Sequence, residues 1–178
     1  MPNAIDFRTA PFRVTKVSDS GRYIGETVYW RLYVIENLLR VIINSVLSDF
    51  YSTPEWWPLA AGPISVGDRT LDGVVKQVRS DHKKNANSTY PGKHNMYYLQ
   101  FSYLYLIIIE NNSLFLSVIP EIDQWVQRFK RMRISRNIVS HMNWLDSTDR
   151  QEINELYLDL IQLARKLTES KLEIVIPK

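Results

Sequence analysis

A chain of 178 residues with 45% hydrophobic and 23% charged residues suits one domain with a sizeable core and is excluded from the disordered and collagen-like classes. The absence of cysteine excludes disulfide scaffolds, thiolate zinc sites and cysteine nucleophiles, and points to the reducing cytoplasm. A net charge of +3 is only mildly basic, so where the charge sits says more than its total.

Residues 1–25 lack the apolar core of a signal peptide and read as an N-terminal extension with some strand character. The helical domain is expected over residues 26–170. Its first helix is predicted over residues 26–50, where Val28, Leu32, Ile35, Leu39, Ile42, Ile43 and Val46 recur at steps of three and four. The prolines of "STPEWWP" end it. A second helix is expected from Asp68 to about Lys84, before a loop of turn residues, "NANSTYPGKH". The run at residues 95–111 is apolar nearly all round and reads as a helix packed on several sides. It is too short to span a bilayer, which needs about 20 apolar residues, so no membrane segment is expected. Pro120 stands where a first-turn proline belongs and opens a helix running to about Met142. Ser147 is the cap candidate of a last long helix over residues 147–167. The tail, residues 171–178, again has strand character and could pair with the N-terminal segment or with a partner chain. The fold class is therefore all-α, an antiparallel bundle of four or five helices, with room for short terminal strands.

Basic charge is concentrated. Residues 125–141 hold Arg128, Lys130, Arg131, Arg133 and Arg136 with no acid, and Lys83 and Lys84 belong to a second basic stretch beside the turn-rich loop. Such stretches suit the phosphates of RNA, and solvated lysines look the same in sequence. On a helical wheel at about 100° per residue, Arg133, Arg136, Asn137, Ser140 and His141 share one arc of roughly 140°. Met132, Ile134, Ile138, Val139 and Met142 fill the opposite side. This stripe is either a solvated face or a site. In the first helix Glu36 and Arg40 stand one turn apart among apolar residues, with Asn37 and Asn44 on the same side. They form either an exposed ion pair or a second wall of a cleft. His82 and His94 flank the loop without the spacing a metal site needs, and no cofactor or metal is expected. Trp56, Trp57 and Trp144 are candidates for base stacking, although tryptophan in a small domain is more often core or interface.

The segment "RNIVSH", late on the penultimate long helix, resembles the HEPN superfamily, whose signature is an arginine followed after four to six residues by a histidine, usually with a polar residue next to the arginine. Arg136, Asn137 and His141 match it position by position, and "IENLLR" in the first helix is similar to a Glu and Leu-Arg stretch of several HEPN branches. The resemblance covers residues 26–168, by helix order more than by identity. It implies a metal-independent endoribonuclease of a toxin–antitoxin or phage-defence system, acting on RNA, acting as a homodimer with the motif helices facing each other, and answering to an antitoxin or defence-system partner protein. It also implies roles: His141 as base or acid, Arg136 on the phosphate, Asn137 orienting ring or substrate, and Glu36, Arg40, Arg133 and Ser140 as the layer behind them. Attack by the 2′-OH needs a group to take its proton and a cation for the charge on phosphorus, and histidine and arginine are the residue types for those tasks. Where a partner nucleotidyltransferase silences such toxins, a tyrosine often stands two residues after the histidine. Asn143 occupies that place here, so control of that kind is not expected. The alternative is a HEPN-like module that keeps the fold for dimerisation, partner binding or RNA binding without cleavage.

Overall fold

The computed structural model describes residues 6–85, 89, 91–170 and 172–177, and it is mostly helical. Among these residues, the helices are α1 (Val14–Ile24), α2 (Trp30–Tyr51), α3 (Trp57–Ala60), α4 (Leu71–Lys84), α5 (Phe101–Glu110), α6 (Asn112–Leu116), α7 (Ile122–Ser140) and α8 (Ser147–Glu169). A two-stranded antiparallel hairpin, β1 (Ser65–Val66) and β2 (Arg69–Thr70), precedes α4.

α2 is the centre of the molecule. Its three- and four-residue period puts Leu32, Ile35, Leu39, Ile42, Ile43, Val46 and Leu47 in the core, and the helix packs against α8, α5 and α6. α7 closes the bundle against α5 and α8, burying Ile122, Val126, Phe129, Met132 and Val139. Each such side chain contributes roughly 1.5–3 kcal/mol when fully buried, so the core rests on this period and not on helix propensity. No helix among the described residues is long and apolar enough to cross a membrane.

Several boundaries differ from those expected, for local reasons. The first helix does not start at residue 26: α1 runs into α2 through a π-helical segment, Gly25–Tyr29, so the presumed extension is helical from Val14. The stretch before Leu71 turns back as the hairpin, with Gly67 at φ 62°, and Thr70 caps α4 by accepting from the Gly73 N–H at 3.2 Å. The apolar run at 95–111 is broken: a 3₁₀ turn, Asn95–Tyr98, is followed by extended Leu99 and Gln100 before α5 begins. Pro120 precedes the helix instead of opening it, because Glu121 at φ 58° stands between. Asp146, not Ser147, caps α8, its carboxylate accepting from the Asp149 N–H at 2.8 Å.

Neither terminal segment forms a strand among the described residues. The tail lies along α2, where Asn44 Nδ2 donates to the Val175 carbonyl at 2.9 Å and Ser45 Oγ accepts from the Val175 N–H at 2.9 Å. Side chains of a helix thus satisfy backbone groups that would otherwise need a strand partner. Asn44 also accepts from Trp56 Nε1 at 2.9 Å, which makes it a structural residue, buried like Trp56 and Trp57.

Candidate functional site

Where α1, the start of α2 and the end of α7 converge, they enclose a groove of about 870 Å³. Its charged floor has a definite order. The Glu36 carboxylate takes Arg40 Nη2 at 2.6 Å on one oxygen and lies 3.6 Å from Arg136 Nε with the other. Arg40 is only 9% exposed, donates further to the Met96 carbonyl and to Asn37 Oδ1 at 3.3 Å each, and lies 5.8 Å from the Tyr97 ring centroid. The alternatives left open for Glu36 and Arg40 are thereby decided: they are no exposed surface pair but the second wall of a cleft. A buried arginine needs such a partner, since an uncompensated charge there would cost several kcal/mol. Arg136, with 32% of its side chain exposed, uses one edge on Glu36 and keeps the rest of its five N–H groups for the groove. The floor carries two cations against one carboxylate.

Ser140 also lines the groove, its hydroxyl donating to the Asn137 carbonyl at 2.9 Å. The other members of the stripe do not. Arg133 and Asn137 are exposed and outside the lining, and His141 stands at the C-cap of α7, exposed and likewise outside it. At about 100° per residue, Arg136 and His141 project about 140° apart, so one arc on the wheel became two directions in space. The expected apolar side is also corrected. Ile134 is 60% exposed and lies next to His141 on the wheel, and Met142 is 86% exposed because φ of 59° takes it off the helix. Ser135 is buried in their place, donating to Asp149 Oδ1 at 2.8 Å.

Of the remaining basic candidates, Arg128 is engaged: it pairs with Asp159 at 2.8 Å and lies 5.2 Å from the Trp125 ring. Its Nη2 is thereby engaged by α8. Lys130 and Arg131 are exposed on α7, and Lys83 and Lys84 are exposed at the end of α4, Lys84 with Asp81 at 3.5 Å. None of the four lines the groove.

Of the aromatic residues that line the groove, sequence reasoning named Trp144 and missed Tyr29 and Tyr33. Phe7, Val17 and Ile24 of the N-terminal segment line it with them. The Trp144 ring stacks on Tyr23 at 5.6 Å between centroids, and the Arg150 guanidinium lies within 5.7 Å of both rings, tying α1 to the α7–α8 turn. The signal existed: Val14, Val17, Gly21 and Ile24 repeat at helical spacing. His94 belongs to the frame instead. It accepts from the Met96 N–H at 3.2 Å and packs 5.4 Å from the Trp56 ring, and burial, with Arg79 second, pushes its pKa down to about 4. Comparison with known proteins returned no matching family model, no matching curated protein and no matching solved structure.

Proposed function

We propose that the protein is a metal-independent endoribonuclease of a toxin or phage-defence system, in which Arg136 holds the scissile phosphate and His141 moves the proton of the attacking 2′-OH. The observation that carries this reading is the Glu36 carboxylate shared between buried Arg40 and half-exposed Arg136 beside an open groove. A guanidinium drawn to a carboxylate in this way presents its outer N–H groups at a reduced cost in side-chain entropy, which favours a phosphate site. The 2′-oxygen attacks phosphorus as His141 accepts its proton. The 5′-oxygen of the next nucleotide leaves with a proton from a second acid, and a 2′,3′-cyclic phosphate remains.

Because Arg136 and His141 face different ways, the reading includes a homodimer in which the two His141 residues serve one shared site as base and acid. The second reading, an inactive module that binds partners, is favoured by Ile134 and Met142, two exposed apolar side chains flanking His141. Incubation with labelled single-stranded RNA in EDTA separates them. The proposal expects cleavage with 2′,3′-cyclic ends, abolished in His141→Ala while helical content and melting temperature stay near the parent's, since an exposed side chain contributes little packing. Intact RNA across several substrates, together with firm self-association, selects the second reading.

A further inference from the structure

Resting on the endoribonuclease reading, we infer that Tyr33, with Tyr29, is a base-stacking platform on the wall of the groove beside Arg136, on which unpaired nucleotides of the RNA lie. Three observations converge. The first is the availability of the rings. Tyr29 and Tyr33 line the groove and are 61% and 65% exposed, and neither has an aromatic or cationic partner among the described residues. An exposed tyrosine is ordinary; two of them one turn apart on the wall of a cleft form a platform, and base stacking on such rings is tolerant of sequence.

The second is spacing. Residues four apart on a helix rise by about 6 Å, well beyond the 3.4 Å step of a stacked strand. Two bases can lie on both rings only when the strand is extended and unstacked, which a duplex does not allow. The third is charge order. Moving from Tyr29, at the end of the π-helical segment, to Tyr33 on α2, the next groove-lining side chains are Glu36, Asn37 and Arg40, and Glu36 lies beside Arg136. Bases at one end and a floor with an excess of one positive charge at the other match the order of a nucleotide, apolar face then phosphate. A groove of about 870 Å³ has room for a short single strand, while a duplex could offer it only the edge of its backbone.

Binding of a 2′-O-methylated hexaribonucleotide tests this on the full chain, because the oligomer lacks the attacking hydroxyl and is read intact whether or not the protein cleaves. Fluorescence anisotropy of the labelled hexamer is compared with that of a 2′-O-methylated hairpin duplex, for the parent and for Tyr33→Ala, Tyr33→Phe and Tyr29→Ala. The expected result is tighter binding of the hexamer than of the duplex. Tyr33→Ala should weaken the hexamer about tenfold, Tyr29→Ala should weaken it by a smaller factor, and Tyr33→Phe, which keeps the ring, should hold it within about twofold of the parent. Equal binding of duplex and hexamer overturns the inference, as does unchanged hexamer affinity in Tyr33→Ala. So does a Tyr33→Ala chain that falls from dimer to monomer with its RNA affinity intact, which would make the rings a contact between copies. The two readings fail separately. Loss of Tyr33 dependence while His141→Ala still abolishes cleavage sinks the stacking platform alone, and Tyr33-dependent binding of RNA that is never cut sinks the endoribonuclease alone.

Discussion

A guanidinium held by a carboxylate and an ammonium in the same place differ in shape more than in charge. Glu36 fixes one edge of Arg136 at 3.6 Å, which leaves a planar fork able to meet two phosphate oxygens. Arg136→Lys keeps the charge and loses the fork, so cleavage should fall at least about tenfold in single-turnover assays while the melting temperature hardly moves. Unchanged turnover would reduce Arg136 to general attraction. His94 makes a different kind of prediction. Its folded pKa, about 4, lies below the ordinary 6.5, so the unfolded chain takes up the proton first as the pH falls. Stability is therefore full above pH 6.5 and lost progressively toward pH 4, by on the order of 2 kcal/mol given partial solvent access. His94→Asn retains an acceptor for the Met96 N–H and does not titrate, so urea titrations between those two pH values should show a flatter slope than the parent's. The lowered carboxyls of Asp6, held by Arg8, Asp72, held by Lys76, and Asp81, held by Gln77, lose their contribution at more acid pH than most of this window.

At the scale of elements, the α7–α8 turn does the positioning. α7 ends with Met142 in the left-handed region, the Met142 and Asn143 N–H groups returning to Val139 and Ile138 at 2.9 and 3.0 Å, and α8 starts on the Asp146 cap. Asp146→Ala removes the acceptor for the Asp149 N–H and should cost about 1 kcal/mol in chemical denaturation. If the turn also sets His141, cleavage should drop by more than stability alone explains. The long helices were legible because α2, α7 and α8 bury one stripe each and the period survives in the sequence. Their ends were not. Ser147 and Asp146 are adjacent and both are good caps, so only the backbone decides which residue stays outside the helix. The π segment at Gly25–Tyr29 carries no stop signal, and the break at Leu99–Gln100 contains neither glycine nor proline. Arg136 was readable as a site candidate, and its union with Glu36 followed once both helices were placed. The separation of His141 from the groove was hidden, because an arc of 140° on a wheel can span both the wall and the outside of a cleft.

For the whole molecule, the proposed cleavage would tie the assembly to the count of proton-transfer groups. Cleavage by 2′-OH attack needs one group to accept a proton and another to give one, and the described chain places a single histidine, His141, on α7. His82 sits on α4 and His94 is packed against Trp56. A two-fold axis passing near His141 would bring both copies of that residue together as base and acid, bury the exposed Ile134 from each side, and turn the mouths of the two Arg136 grooves toward the shared site. Native mass measurement should then give a dimer, and Ile134→Asp, which places a charge in the apolar contact, should yield a folded monomer with little activity. The decisive preparation is a heterodimer of one parental and one His141→Ala chain, isolated with two tags. A site built from both chains loses nearly all of its activity when either histidine is removed, whereas two independent sites keep half. Retention of half the parental rate, or a monomer that cleaves at full rate, would show that one chain carries a complete site and that the exposed face around Ile134 serves another purpose.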